Sequence, residues 1–227
     1  MGTFDLPWIR RIAAVAALGD QNRRKLYEYV LNSDGAVGRE EAALKLDLPR
    51  SSVSFHLDRL VREGLLQVEF RKSPDRTGPG SGRPSKLYRP MVDEIGVSIP
   101  ERHYDLAGHL MAAAIQRAEA DAAPVEATLH DVAAAKGREV GRPGDFLGVI
   151  SELGYDPTTD AAGGYRLLNC PFHRLSRDHK DVVCGMNGAF LRGAATASGL
   201  SAAVVVPDPD HSPGHCCARI TAHEGVS

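Results

Sequence analysis

The sequence predicts an α+β protein of two domains, residues 1–98 and 99–227, and three observations carry that expectation. Apolar residues recur at three- and four-residue spacing over most of residues 8–63 and then alternate over 65–70, the change of period that marks helices followed by a strand. A 15-residue stretch rich in Gly, Pro and Ser, RKSPDRTGPGSGRPS (71–85), separates that strand from a second one at Lys86–Arg89. Beyond residue 99 the pattern shifts to Ala-rich helices mixed with short strands, and all four cysteines fall in the last 58 residues.

Taken in order, Trp8–Leu18 and Asn22–Leu31 read as helices, with Ile12, Val15 and Ala16 as one apolar stripe and Leu26, Tyr29 and Val30 as another. Asp20 is placed to cap the second. Arg39–Leu46 reads as a short helix with Glu40 and Glu41 in its first turn, where they complement the helix dipole. Asp47-Leu48-Pro49 is a tight connection to a helix that runs to about Glu63 and stops at Gly64. Val53, Leu57, Leu60 and Val61 point to the core, which leaves Arg50, Ser51, Ser52, Ser54, His56 and Arg59 facing outward. Short polar groups and basic side chains near a helix N-terminus suit insertion into a major groove about 12 Å wide. The loop and its flanks hold Arg71, Lys72, Arg76, Arg83 and Lys86, and from Arg71 to Arg89 six residues are basic and one acidic. Gly82-Arg83-Pro84 is similar to extended Arg-bearing segments that lie in narrow minor grooves. Residues 39–90 therefore read as a winged helix-turn-helix on double-stranded DNA.

The charge distribution points the same way. Residues 1–90 carry 16 Lys/Arg against 11 Asp/Glu, whereas residues 91–227 carry 11 against 18. A basic first part suits phosphate and an acidic second part faces solvent or a partner. No apolar run approaches the ~20 residues that a spanning helix needs, and the N-terminus lacks a signal-peptide pattern. These features make a cytoplasmic protein the expectation, with cysteines as free thiols or metal ligands.

In the second part, Tyr104–Ala123 reads as a helix with Leu106, Leu110, Ala114 and Ile115 along one side, a candidate for dimerisation or for simple core packing. Val125–Gly137 and Asp145–Leu153 read as further helices, Tyr155–Asp160 and Tyr165–Asn169 as paired strands, and about Asp178–Ser198 as a helix. Strands at Ala202–Val206 and Cys216–Ala222 complete the domain. Cys170 ends a strand, Cys184 lies about one turn into a helix with open space expected above Gly185 and Gly188, and Cys216 and Cys217 open the last strand. The spacing Cys-x13-Cys-x31-Cys-Cys is too long for a zinc ribbon or a CxxC redox motif, so the thiols meet only through tertiary folding. Adjacent strand residues face opposite ways, so Cys216 and Cys217 share one ion only where the backbone departs from regular strand. Three or four thiolates, with His173, His179, His211 or His215 as an extra donor, could hold a [4Fe–4S] or [2Fe–2S] iron–sulfur cluster or a tetrahedral zinc. A thiol redox switch and inert buried cysteines are the alternatives.

The stretch SSVSFHLDRLVREGLL resembles the recognition helix and first wing strand of ArsR-like winged-helix regulators, and GRPSKLYRP resembles the returning wing strand of the branch that includes Suf-type iron–sulfur repressors. NCPFH, VCGMN and the Cys216–Cys217 pair are similar to that branch's C-terminal region. The likeness covers about residues 10–90 and 165–220. It implies a homodimeric repressor reading half-sites ~34 Å apart, with an iron–sulfur cluster on Cys170, Cys184, Cys216 and Cys217. The chain carries no HExxH, no Gly-x-Ser-x-Gly and no P-loop, so an enzyme is not the expectation.

Overall fold

The computed structural model describes residues 7–71, 84–209 and 211–222 and mixes helix with sheet. The chain divides into two compact units, Met1–Val97 and Ser98–Ser227. Among the described residues no helix is long and apolar enough to cross a membrane.

In the first unit, α1 (Trp8–Ala17) and α2 (Gln21–Leu31) precede a two-residue strand β1 (Val37–Gly38), α3 (Arg39–Leu46) and α4 (Arg50–Arg62). Two longer strands, β2 (Leu66–Arg71) and β3 (Ser85–Pro90), follow. Asp20 caps α2 by accepting from the Arg23 N–H at 2.9 Å. The Asp47 backbone is left-handed, φ 51°, which ends α3 and turns the chain into α4 within three residues. Gly64, φ 78°, does the same after α4. The sheet is antiparallel in the order β1-β3-β2, with Val68 opposite Tyr88. Val53, Leu57, Leu60, Leu26, Val30 and Tyr88 form its core, each fully buried leucine worth about 2 kcal/mol of transfer free energy.

The face buried by α1 is not the stripe expected. Ala14 and Ala17 are buried, while Val15 is exposed and Ile12 only half-buried. Two alanines present a flat surface to the neighbouring helix, and the buried Arg11 donates to the Gly96 carbonyl at 3.2 Å.

In the second unit, α5 (Tyr104–Asp121), α6 (Val125–Val140) and α7 (Phe146–Glu152) lead into β4 (Pro157–Thr159) and β5 (Tyr165–Leu167). α8 (His173–Asp178) and α9 (Lys180–Ala197) come next, then a 3-10 turn, β6 (Val205–Pro207) and β7 (Ala218–Ile220). The strands form one antiparallel sheet in the order β4-β5-β7-β6. α9 is the central element. Val183, Met186, Ala189, Phe190, Leu191, Ala194 and Ala195 are all buried, so it is apolar around much of its circumference. Its packing on α6 is close because of two glycines. A Cβ on Gly137 would sit 2.0 Å from the Phe190 carbonyl oxygen, and one on Gly193 would sit 2.1 Å from that of Ala134.

Several bounds and one buried stripe differ from expectation. The helix expected from about 178 to 198 is α9, Lys180–Ala197, and the loop expected before it holds a further short helix, α8, which ends at Asp178. The strand expected at 202–206 begins as a 3-10 turn, and the last strand begins at Ala218 rather than Cys216. On α5, Leu106, Leu110 and Ala114 are buried but Ile115 is 48% exposed, one position outside the stripe that packs on α6.

Candidate functional site

The outward side of α4 carries the residues expected to meet DNA. Arg50, Ser51 and Arg59 are exposed, and Ser52 and Ser54 are half-buried. Arg59 is tied to Glu63 by a 2.7 Å ion pair one helical turn on. His56 does not face outward as expected. It is buried, with Nδ1 4.0 Å from the Asp20 carboxylate, because the fold turns this position toward the start of α2. Phe55 takes the outward position instead, 65% exposed, with its ring edge-on to His56 at 5.4 Å. Sequence reasoning passed over Phe55, whose signal was its position two residues after Val53, off the core stripe.

Asp58 holds α4 to β3 and to the start of α3. Its Oδ1 accepts from Lys86 Nζ at 2.6 Å, from the Tyr88 hydroxyl at 2.9 Å and from Arg39 at 3.4 Å. Partial burial pushes the carboxyl up, but the bonds from Lys86 and Tyr88 outweigh it and hold Asp58 below its ordinary value. Lys86, expected as a DNA contact, is thus committed to Asp58 within the unit, with 30% of its side chain exposed. Arg71 is exposed at the end of β2 and pairs with Glu69 at 2.9 Å. Lys72, Arg76 and Arg83 lie outside the described residues.

The second cluster joins residues far apart in sequence. Cys170 is in the turn after β5, its carbonyl accepting from the His173 N–H at 3.1 Å. Cys216 is pinned beside it, donating its own N–H to the Leu167 carbonyl at 2.9 Å. Both are free thiols, buried to 3% and 1% exposure. Cys184 and Cys217 are half-buried and joined as a disulfide across 33 residues, with Cα atoms 6.3 Å apart. Cys216 and Cys217 face opposite ways, as an extended backbone requires, yet both precede β7 on irregular chain. The space expected above Gly185 is taken by the His130 imidazole, 2.5 Å from where a Cβ would stand.

The free pair has an electrostatic polarity. The Cys216 thiol donates to Cys170, and this bond, against the upward push of burial, lowers Cys170 to about 7. The Phe172 N–H, Ser176 hydroxyl and Arg102 guanidinium lower it further. Cys216 is pushed well up by its Cys170 neighbour and by burial, so Cys170 ionises first and Cys216 keeps its proton. Behind Cys216 stands Asn187, whose Nδ2 donates to Sγ at 3.1 Å. The Tyr155 hydroxyl donates to Asn187 Oδ1 and fixes the amide orientation. Asn187 is 1% exposed and Tyr155 likewise, so this is a closed polar relay inside the core. Neither residue stood out in the sequence, since a single Asn on an apolar helix and a single Tyr after Gly154 have no periodic signature.

The expected histidines are dispersed. His173 is half-buried and lowered by burial and by Arg102 and Arg177, and His211 contacts the Asp208 carbonyl at 2.6 Å. His215 lies in the turn just before the cysteine pair, and His179 is exposed at the break between α8 and α9. Among the described residues no three His, Cys, Asp or Glu side chains are grouped as a metal cage. The donor chemistry nevertheless suits a soft metal. The four sulfurs stand as two pairs, Cys170 with Cys216 and Cys184 with Cys217; one is lowered to about 7, and a second receives an N–H. Reduction of Cys184–Cys217 to two thiols is required before all four can ligate.

No protein-family model, curated protein or solved structure matches the chain.

Proposed function

We propose that the chain is a winged helix-turn-helix transcriptional regulator that binds double-stranded DNA as a homodimer and whose operator affinity responds to an iron–sulfur cluster on Cys170, Cys184, Cys216 and Cys217. The observation that supports it most is that all four cysteines stand in two pairs, Cys170 with Cys216 and Cys184 with Cys217, whose adjacent members Cys216 and Cys217 precede β7, in a unit separate from the basic helix α4. On the DNA side, Arg50 at the α4 N-terminus contacts phosphate, Ser51, Ser52 and Ser54 offer hydroxyls to base edges, and the wing cations supply sequence-independent attraction. Affinity then falls steeply with salt, the slope counting the phosphates neutralised. When bound, a cluster supplies one-electron and ligand-loss chemistry. The protein's own part is to exclude water at Cys170 and Cys216, to present an ionised Cys170, and to donate an N–H from Asn187 to Cys216 sulfur. Structural zinc on the same cysteines is an outcome the same assay separates.

The Cys184–Cys217 bridge favours a second reading, a thiol switch without metal. There the two thiols lose two protons and two electrons to an oxidant such as a low-molecular-weight disulfide, and form the S–S bond.

The deciding experiment is anaerobic purification followed by an absorption spectrum and iron, sulfide and zinc analysis. Operator binding is then measured for wild type and Cys184→Ser. Iron with acid-labile sulfide, visible thiolate-to-iron bands and a changed affinity in Cys184→Ser support the cluster regulator. Zinc alone moves the metal to a structural role. No metal, with affinity that follows thiol oxidation, selects the switch. Unchanged metal content and affinity in Cys184→Ser would sink cysteine-based sensing altogether.

A further inference from the structure

The first residues of the second unit are bonded to the loop that carries Cys170. The Asn169 amide donates from Nδ2 to the Glu101 carbonyl at 3.3 Å and also to the Gly154 carbonyl. Its Oδ1 accepts from the Arg102 guanidinium. The His103 N–H donates to the Pro171 carbonyl at 3.1 Å, and the Arg174 N–H donates to the Tyr104 hydroxyl at 3.3 Å. His103 is buried, with Nε2 3.6 Å from the Glu101 carboxylate. Gly154 has φ 77°, and a Cβ there would meet the Glu101 side chain at 3.3 Å, so the two segments run in close contact. Residues 101–104 are therefore held on both flanks of Cys170, by Asn169 on one side and by Pro171 and Arg174 on the other.

We propose that residues 101–104 are a strap through which the state of the cysteine site reaches the DNA-binding unit. This rests on the regulator reading above and names its route. The chain enters the second unit at Ser98, so residues 101–104 are the covalent path from Val97 to everything that follows. Cys170 lies between the two bonded flanks. When its sulfur exchanges the Cys216 thiol for another partner, the backbone of residues 169–171 must adjust, and the bonds to Glu101, Arg102 and His103 adjust with it. The Coulombic pull of Arg102 on Cys170 joins the two segments by charge as well as by hydrogen bonds.

The test uses the full-length chain and a fluorescent duplex selected by wild type from a randomised library. Asn169→Ala removes two of the strap's bonds, those to Glu101 and Arg102, together with the bond to Gly154. Tyr104→Phe removes one acceptor and preserves size, so it serves where Asn169→Ala fails to fold. Operator Kd is measured with the cysteine site loaded with iron and sulfide, and again stripped and reduced. Hydrogen exchange at residues 101–104 is followed in both states of wild type. A coupling of ordinary size changes wild-type affinity about 5–150-fold between the states. The double variant Asn169→Ala/Tyr104→Phe is expected to bring that ratio close to one while each state still binds DNA, and Tyr104→Phe alone, used where Asn169→Ala does not fold, is expected to lower it part of the way. In wild type the His103 amide is expected to change protection between states. A variant ratio equal to that of wild type overturns the strap and leaves the regulator intact. Exchange at 101–104 that is the same in both states overturns the strap whatever the DNA does. Equal wild-type affinity in both states, together with changed exchange, overturns the regulator reading and shows the strap to be mechanically coupled but without that output.

Discussion

The two units treat their polar residues in opposite ways. In the first, Asp58 gathers Lys86, Tyr88 and Arg39 at the edge of a small core, and its carboxylate stays 43% exposed. In the second, Cys170, Cys216, Asn187 and Tyr155 form a network with almost no exposure. Under the proposed regulator reading, the first unit's surface meets phosphate and has to keep its cations in contact with solvent and ions. A sulfur site that distinguishes ligated from free thiol gains from low dielectric, where each hydrogen bond is stronger and each loss of partner costs more.

The sharpest test of that contrast is steric. Gly137→Val places a side chain against the Phe190 carbonyl, and helix backbones cannot yield as a flexible side chain would. Separation of α6 from α9 is expected to cost about 3 kcal/mol or more. A two-step thermal melt in which only the second unit falls would fit two independent cores. Loss of both together would break the comparison.

Next in size is Asn187→Leu. It strands the buried Tyr155 hydroxyl and removes the donor to Cys216, at about 1–3 kcal/mol. Denaturant midpoints measure the cost, and Tyr155→Phe in the same background should recover part of it.

Asp58→Asn should destabilise the first unit by about 1 kcal/mol, the low end for bonds to a charged group, because two-fifths of the carboxylate faces water. The folded carboxyl lies below its ordinary value of 3.8, so its contribution is fully present above 3.8 and is lost as the pH falls through the depressed folded value. The variant should therefore lose less stability than wild type as the pH falls below 3.8, while Asp20, also held below its ordinary value by the Arg23 N–H, keeps its own share of the acid dependence. An identical acid limb in both proteins would remove Asp58 from the account.

The smallest signal is one thiolate. In reduced, metal-free protein, near-ultraviolet thiolate absorbance should rise for one cysteine around pH 7, and Cys170→Ser should abolish that step. A step that persists in Cys170→Ser would reverse the assigned polarity of the pair.

Much of this was legible without coordinates. Helices α2, α3 and α4 with the Asp20 cap, and strands β2 and β3, follow from period, caps and turn residues that act within a few positions. Confinement of the cysteines to the second unit was equally plain. His56 was misplaced because a position between two stripes is decided by what packs above it, here the start of α2. The α1 stripe failed for a related reason, since a helix with apolar residues on more than one side lets its neighbour choose the face.

The sequence by itself determined the local grammar: where helices start and stop, which stretch is basic, and that four thiols follow one another within 48 residues, Cys170 to Cys217. Tertiary structure alone decided their partners. Cys184 meets Cys217, and Cys216 meets Cys170 and Asn187, because α9 packs against β6 and β7 while β7 pairs with β5, which closes the 13- and 31-residue intervals into two pairs. Periodicity is a property of neighbours along the chain, whereas a thiol's partner and protonation are properties of neighbours in space.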